Sequence, residues 1–340
     1  MIENLSEVER FILNQLQEGI PLVPKPFEKL SSDIGISEKE YIETIYKLKE
    51  KKIIRQISPI YDTKTLGYDS SLVAFKIDNI EKSAEIINSY PGVSHNYERN
   101  NEFNLWFTIA VPPDSKLGLE KTVEILAKET GVKDYVILRT VKLYKIKVKL
   151  DVKGSITEKE TPTNSKTKPE NYLLTEEDKK VIKITQVDIP LVSRPFKEFG
   201  MKLNLSEGEV INKLKSYLEN GIMRRFVAIL FHRNVGFKSN GMVVWKINKE
   251  KVDELGYKLA SFKNVSHCYE RTTNKNWKYN LFSMIHAKSS KDIENFVEKF
   301  AKEENIEDYK ILYSTREFKK RRIKYFSDEF YRWENRYTKN

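Results

Sequence analysis

Cysteine is almost absent from this chain of 340 residues, Cys268 being its single example. One thiol cannot close an intramolecular disulfide or furnish a cysteine-rich zinc or iron–sulfur site, which suits a reducing cytoplasm. Histidine is nearly as scarce, with His95, His232, His267 and His286. Long apolar runs are lacking too. Stretches such as Val73 to Phe75 and Trp106 to Val111 fall far short of the ~20 residues that a membrane-spanning helix needs. The opening MIENLSEVERF has no basic segment leading into an apolar one, so neither a signal peptide nor a membrane partner is expected.

Positive charge, by contrast, is plentiful. The 60 Lys and Arg outnumber the 49 Asp and Glu, for a net +11, so the preferred partner is an anion: nucleic acid or a polycarboxylate. A 39% hydrophobic content is enough for two domains that each bury a core.

The chain repeats itself. Ile20-Pro21-Leu22-Val23 and Pro26-Phe27 return as Ile189-Pro190-Leu191-Val192 and Pro195-Phe196, and in the same frame Arg55 meets Arg224 and Gly67 meets Gly236. Val93-Ser94-His95-Asn96-Tyr97-Glu98-Arg99 returns as Val265-Ser266-His267-Cys268-Tyr269-Glu270-Arg271, and Asn104-Leu105 as Asn280-Leu281. Residues 1–150 and 172–340 thus read as two copies of one unit. Residues 151–171, rich in Lys, Thr, Ser and Pro with little to bury, read as a flexible linker. Covalent fusion favours an intramolecular pseudo-dimer, with further homo-oligomerisation possible.

Within each copy, helical spacing from Leu5 to Leu16 and a capping box at Ser37 and Glu40, repeated at Ser206 and Glu209, predict a helix, a short helix, a capped helix and a β hairpin. That is a winged helix-turn-helix, over 1–68 and 172–237. Then follow an alternating run from Ser70 to Ile77, a helix from Ile80 to Ser89, strands at Val93 to Glu98 and Phe103 to Val111, a helix from Lys116 to Glu129 and a strand at Tyr135 to Arg139. This βαββαβ order predicts an α+β fold of the ferredoxin-like kind, two helices on a four-stranded antiparallel sheet, over 69–150 and 238–340.

A helix-turn-helix followed by such a domain resembles the leucine-responsive (feast/famine) regulators, and a DNA-binding regulator is the second reading. The helices that would read DNA, however, begin Ser37-Glu38-Lys39-Glu40 and Ser206-Glu207-Gly208-Glu209, which sets carboxylates toward phosphates. No nucleic-acid partner is therefore expected.

The segments SHNYERNNEFNLWFT, SHCYERTTNKNWKYNLFSMIH, RRFVAILFHRNVGFKSNGMVVW and YSTREFKKRRIKYF resemble the siroheme decarboxylase family in its fused two-half form. The resemblance implies that siroheme loses the carboxyl groups of two acetate side chains (C12 and C18), giving 12,18-didecarboxysiroheme for haem or haem d1 formation. No cofactor is implied, because the substrate carries its own iron. A flat macrocycle ringed with carboxylates calls for aromatic walls and a cationic rim. Tyr269, Trp277 and Tyr279 are candidate walls, although strand alternation sends about half of such aromatics into the core. Arg99, Arg271, Arg224, Arg225, Arg233 and Arg316 are candidate carboxylate partners, with Lys319, Lys320, Arg321 and Arg322 near the last of them.

Decarboxylation also needs a proton, which histidine can supply near neutrality. His95 and His267 share one repeat position, whereas His232 aligns with Thr63 and His286 with Ala110. The two histidines private to the second copy, His232 and His286, are the candidate acid/base groups, with His267 beside them and His95 lining the site. The loop TKTLGYD replaces HRNVGFK in the first copy, so one competent site, built mainly from the second copy, is expected. A non-catalytic haem carrier is a third reading.

Overall fold

The computed structural model describes residues 5–146, 172–231 and 239–338. The expected linker, together with His232 and Arg233, lies outside the described residues. The chain divides into two compact units that cut across the repeat: one gathers the N-terminal parts of both copies with residues 324–328, and the other gathers both C-terminal parts.

The first unit holds α1 (Glu7–Glu18), α2 (Pro26–Ser32), α3 (Glu38–Glu50) and β1 (Ile54–Tyr61), and their counterparts α6 (Glu176–Thr185), α7 (Pro195–Leu203), α8 (Glu207–Glu219) and β6 (Met223–Leu230). Ser6 with Glu9 and Ser206 with Glu209 form full capping boxes. At α3, Ser37 accepts from the Glu40 amide, without the reciprocal bond that the sequence suggested. Pro26 and Pro195 sit at helix starts, where a missing N–H costs nothing. The expected hairpin of each winged helix is not formed among the described residues. Each copy contributes one strand instead, and β1 pairs antiparallel with β6, Ile57 opposite Ala228. Pairing across the repeat satisfies the same ladder that a hairpin would.

The second unit, taken in chain order and with numbering continuing across both units, holds β2 (Asp69–Phe75), α4 (Ile80–Asn88), β3 (Val93–Arg99), β4 (Leu105–Val111), α5 (Gly118–Thr130) and β5 (Tyr135–Ile146). The second copy supplies β7 (Ser239–Trp245), α9 (Val252–Ala260), β8 (Val265–Arg271), β9 (Leu281–Ala287), α10 (Ser290–Glu303) and β10 (Tyr309–Lys320). The βαββαβ order is present twice, but the two separate four-stranded sheets are not: the strands close into one barrel, in the order β10-β3-β4-β2-β5-β8-β9-β7. The cause is the length of β5 and β10. The first part of β5 pairs with β2, and its continuation from Thr140 to Ile146 pairs with β8; β10 likewise joins β7 to β3. Closure leaves no unpaired sheet edge.

Alternation along the strands sorts side chains into two layers. Val243, Trp245, Leu281 and Ile285 pack with Leu255 of α9 and with Ile293 and Phe296 of α10. The alternate residues Met242, Val244 and Phe282 join Leu72, Trp106, Val136, Leu138 and Leu312 in an interior layer drawn from both copies.

The C-terminal helix α11 (Asp328–Thr338) was not foreseen. Its Trp333 and Phe330 are buried edge-on against Tyr90, with ring centroids 4.7 and 5.8 Å away. Glu334 accepts hydrogen bonds from the Ser115 hydroxyl (2.6 Å) and the Leu117 amide (2.7 Å). Trp333→Ala is expected to cost about 3–5 kcal/mol of stability, as a fully buried aromatic does, measured by urea denaturation.

Candidate active site

On β8 the side chain of Cys268 belongs to the helix-facing layer, so its neighbours His267, Tyr269 and Arg271 face the barrel interior. On β9, Phe282, Met284 and His286 share that face, and the register sets His267 opposite Met284 and Tyr269 opposite Phe282. The first copy presents His95, Tyr97 and Arg99 in the same way, with His95 opposite Thr108 and Tyr97 opposite Trp106.

Both histidine strands carry an irregularity just before the histidine, between Val93 and His95 and between Val265 and His267. Such a bulge breaks the period of two and lets consecutive side chains meet. As a result, Ser266 Oγ lies 2.8 Å from His267 Nδ1 and 2.8 Å from His286 Nε2. A hydroxyl has one proton, so when Ser266 donates to one ring it accepts from an N–H of the other, and the chain His267–Ser266–His286 can pass a proton either way. In the first copy Ser94 Oγ lies 3.0 Å from His95 Nδ1, but its other partner is the Thr108 hydroxyl at 2.7 Å. The position of His286 is there taken by Ala110, so the first copy has no second imidazole.

Burial lowers the pKa of all three rings. His286 is pushed down to about 4, first by desolvation and then by the charges of His267 and Lys320. His267 is lowered by desolvation, then by His95 and Arg271, and His95 by desolvation and Lys320. His95 is among the groups that lower His267, and lowering from the ordinary imidazole range favours the uncharged ring at neutral pH.

The arginines are set differently. Arg271 Nη1 donates to the Leu138 carbonyl (3.0 Å) and the Thr140 hydroxyl (3.1 Å), and its guanidinium lies 4.7 Å from the Tyr269 ring centroid and 5.6 Å from that of Phe282. Arg99 Nη1 donates to the Leu312 carbonyl (3.0 Å), with the guanidinium 5.7 Å from the Tyr97 ring. The Nε of each is buried with no hydrogen-bond partner, and neither meets a carboxylate among the described residues. Desolvation lowers both to about 10, which still leaves them cationic at neutral pH. A buried Arg99 and a half-buried, desolvated Arg271, neither with a counter-ion among the described residues, are suited to an anion from outside the chain.

Arg316 is ion-paired to Glu81 and Glu98. Arg224 is ion-paired to Asp62 and Arg225 is exposed opposite Ile60 on β6, both in the helix-turn-helix unit. Trp277 and Tyr279 are buried in the interior layer with Phe282, the Trp277 ring 5.2 Å from Trp106 and 5.1 Å from Tyr279. Ser266 and Ser94 were missed, although each stands directly before a repeated histidine. Among the described residues, no three His, Cys, Asp or Glu side chains are grouped to hold a metal ion, and no helix is long and apolar enough to cross a membrane.

Comparison with known proteins decides the family. A siroheme decarboxylase of Hydrogenobacter thermophilus is 49% identical over 325 residues, covering 95% of this chain and 96% of that protein. The chain belongs to the siroheme decarboxylase family. The family profiles that match are the siroheme decarboxylase NirDL-like HTH domain, at residues 9–55 and 178–224, and the AsnC-like ligand binding domain, at 65–145 and 234–319. Another siroheme decarboxylase relative, the NirDL subunit of Paracoccus denitrificans, is 31% identical over 93% of this chain and 97% of its own. The siroheme decarboxylase beta subunit of Methanosarcina barkeri is 40% identical over 42% of this chain and 94% of its own length, about one copy of the repeat. A crystal structure of the siroheme decarboxylase NirDL superposes with a TM-score of 0.78 at 44% identity, covering 96% of this chain and 97% of that one. A second was solved in co-complex with an iron-uroporphyrin III analogue, with the same score and identity over 95% and 96%.

Proposed function

We propose that this chain is a siroheme decarboxylase that removes carbon dioxide from the C12 and C18 acetate side chains of siroheme, giving 12,18-didecarboxysiroheme for haem or haem d1 formation. The observation that carries this reading is a pair of desolvated arginines, Arg99 and Arg271, without an acidic partner among the described residues, together with a Ser-bridged histidine pair. Arginine is matched to a carboxylate. The guanidinium ions hold the side-chain carboxylates of the macrocycle, while Tyr97 and Tyr269 border its faces.

Each step breaks one C–C bond. The carboxylate leaves as carbon dioxide, the electron pair passes into the conjugated ring, and the methylene carbon takes one proton to become methyl. One proton is consumed per carboxyl and no electrons are exchanged, so the reaction calls for no cofactor beyond the iron the substrate brings. The proton reaches the methylene carbon from His286 or His267 and is replaced through Ser266. His232 and Arg233 complete the candidate set.

Glu38 and Glu40, with Glu207 and Glu209, occupy the first turns of α3 and α8, where they disfavour a phosphate backbone. We read the chain as a cytoplasmic pseudo-dimer acting on a small molecule. Anaerobic incubation with siroheme and mass analysis of the macrocycle tests the reading: loss of two carbon dioxide units is expected, and unchanged siroheme together with sequence-specific DNA binding would overturn it.

A further inference from the structure

β5 and β10 hold matching places in the barrel, and two register shifts in each bring every third residue to the interior face. On β5, Thr140, Leu143 and Ile146 stand opposite Arg271, Tyr269 and His267; on β10, Ser314, Glu317 and Lys320 stand opposite Arg99, Tyr97 and His95. Directly opposed residues share a face of the sheet, so these six lie on the face of the two His–Tyr–Arg sets. Residues between them reach the helices instead: Lys142 Nζ donates to Asp253 of α9 (2.7 Å) and Lys319 Nζ to the Asn88 carbonyl of α4 (2.9 Å). The two walls differ in kind. Beside His95 and Tyr97 the wall carries the ionic Lys320 and Glu317, and beside His267 and Tyr269 it carries the aliphatic Ile146 and Leu143. Ile146 is 40% and Leu143 44% exposed, so they line open space and do not fill the core. The aliphatic wall is the one next to the Ser266-bridged histidines.

We infer that Leu143 and Ile146 are an apolar wall against the acetate carboxylate about to be lost, while Arg271, at the Thr140 end of the same wall, holds a carboxylate that stays. This rests on the proposed function. The charge of a carboxylate sits on two oxygens, whereas in the transition state it spreads into the conjugated ring as carbon dioxide forms. A neighbour that offers neither a cation nor a hydrogen-bond donor therefore raises the starting state more than the transition state. The balance of the step is the one given above: the C–C bond breaks, its electron pair enters the ring, and the methylene carbon takes one proton from the histidine pair.

The test compares Ile146→Lys, which gives this wall the residue type found at the matching place on β10, with Ile146→Leu, which keeps it aliphatic. Siroheme is titrated anaerobically by absorbance, and single-turnover mass analysis follows the loss of carbon dioxide. Ile146→Lys is expected to bind siroheme about tenfold more tightly and to turn it over about tenfold more slowly, the value of one hydrogen bond to a charged group at its lower end. The ratio kcat/KM should then hardly move, the signature of a stabilised ground state, which a merely damaged site does not produce. Ile146→Leu should keep both numbers within about threefold of the parent. Leu143→Gln, which offers a donor without a charge, should shift both the same way as Ile146→Lys by a smaller factor, and it decides the matter if Ile146→Lys does not fold. An Ile146→Lys protein with the parent's kcat, or with weaker binding, would overturn the inference, as would an Ile146→Leu protein impaired to the same extent. A parent protein that binds siroheme without releasing carbon dioxide would instead overturn the proposed function. The binding of Ile146→Lys would still decide the inference, tighter binding placing a carboxylate at this wall and unchanged binding placing none there.

Discussion

Replacing Arg271 by methionine is expected to give a substrate-free protein that is more stable than the parent and nearly unable to hold siroheme. Arg271 keeps its charge in a buried setting that pulls its pKa from 12.5 to about 10, a differential cost on the order of 3 kcal/mol. Its bonds to the Leu138 carbonyl and the Thr140 hydroxyl return part of that, about 1–2 kcal/mol. Methionine fills a similar volume beside Tyr269 and Phe282 and carries no charge to desolvate, and replacing buried ions by apolar side chains is often stabilising. The unfolding free energy should therefore rise by about 1–2 kcal/mol. Binding should move the other way, because truncating one partner of a buried, hydrogen-bonded charge pair costs about 2–5 kcal/mol, at least thirtyfold in Kd. Urea denaturation of the free protein and an anaerobic absorbance titration give the two numbers. If stability and binding fall together, Arg271 is a structural residue and not a carboxylate receptor.

The same arginine shows what could be read before any coordinates. The repeat of SHNYER as SHCYER made His95, Arg99, His267 and Arg271 equivalent positions, and the structure sets His, Tyr and Arg on one face of each strand. Barrel closure was not legible, because the part of β5 that achieves it, Thr140 to Ile146, carries two register shifts and so loses the period of two that marks a strand. Without closure, the two equivalent histidines could not be assigned to one site. The helix-turn-helix elements were legible from their caps, whereas the pairing of β1 with β6 joins residues far apart in sequence and has no local signature. Cationic side chains were harder still. Composition could not separate Arg271, which has no acidic partner among the described residues, from Arg316 and Arg224, which ion-pair with Glu81, Glu98 and Asp62. Trp277 and Tyr279 lie on the interior layer with Phe282, the face that His267 and Tyr269 share.

His286→Ala is expected to lower kcat by 10²- to 10³-fold while leaving the affinity for siroheme within a few-fold, the range for loss of a positioned acid/base group. His286 is half-buried, bridged to His267 through Ser266, and absent from the first copy, so neither Ala110 nor Thr108 can stand in for it. The same substitution has a signature independent of activity. His286 has a folded pKa near 4 against 6.5 for the free side chain, so the unfolded chain binds the proton more readily. Its contribution to stability is whole above about pH 6.5 and is lost as pH falls toward 4, up to ~3 kcal/mol over that window and less to the extent that water reaches the ring. The parent should accordingly lose stability between pH 7 and 4 more steeply than His286→Ala, as measured by urea midpoints across the range. Thr63→Ala should match the parent in both assays. A His286→Ala protein that keeps full turnover would move the proton source to another residue. One that loses turnover but shows the parent's acid profile would mean that the fold leaves the ring's pKa where the unfolded chain has it, so that His286 takes up charge near neutral pH instead of acting as a neutral relay.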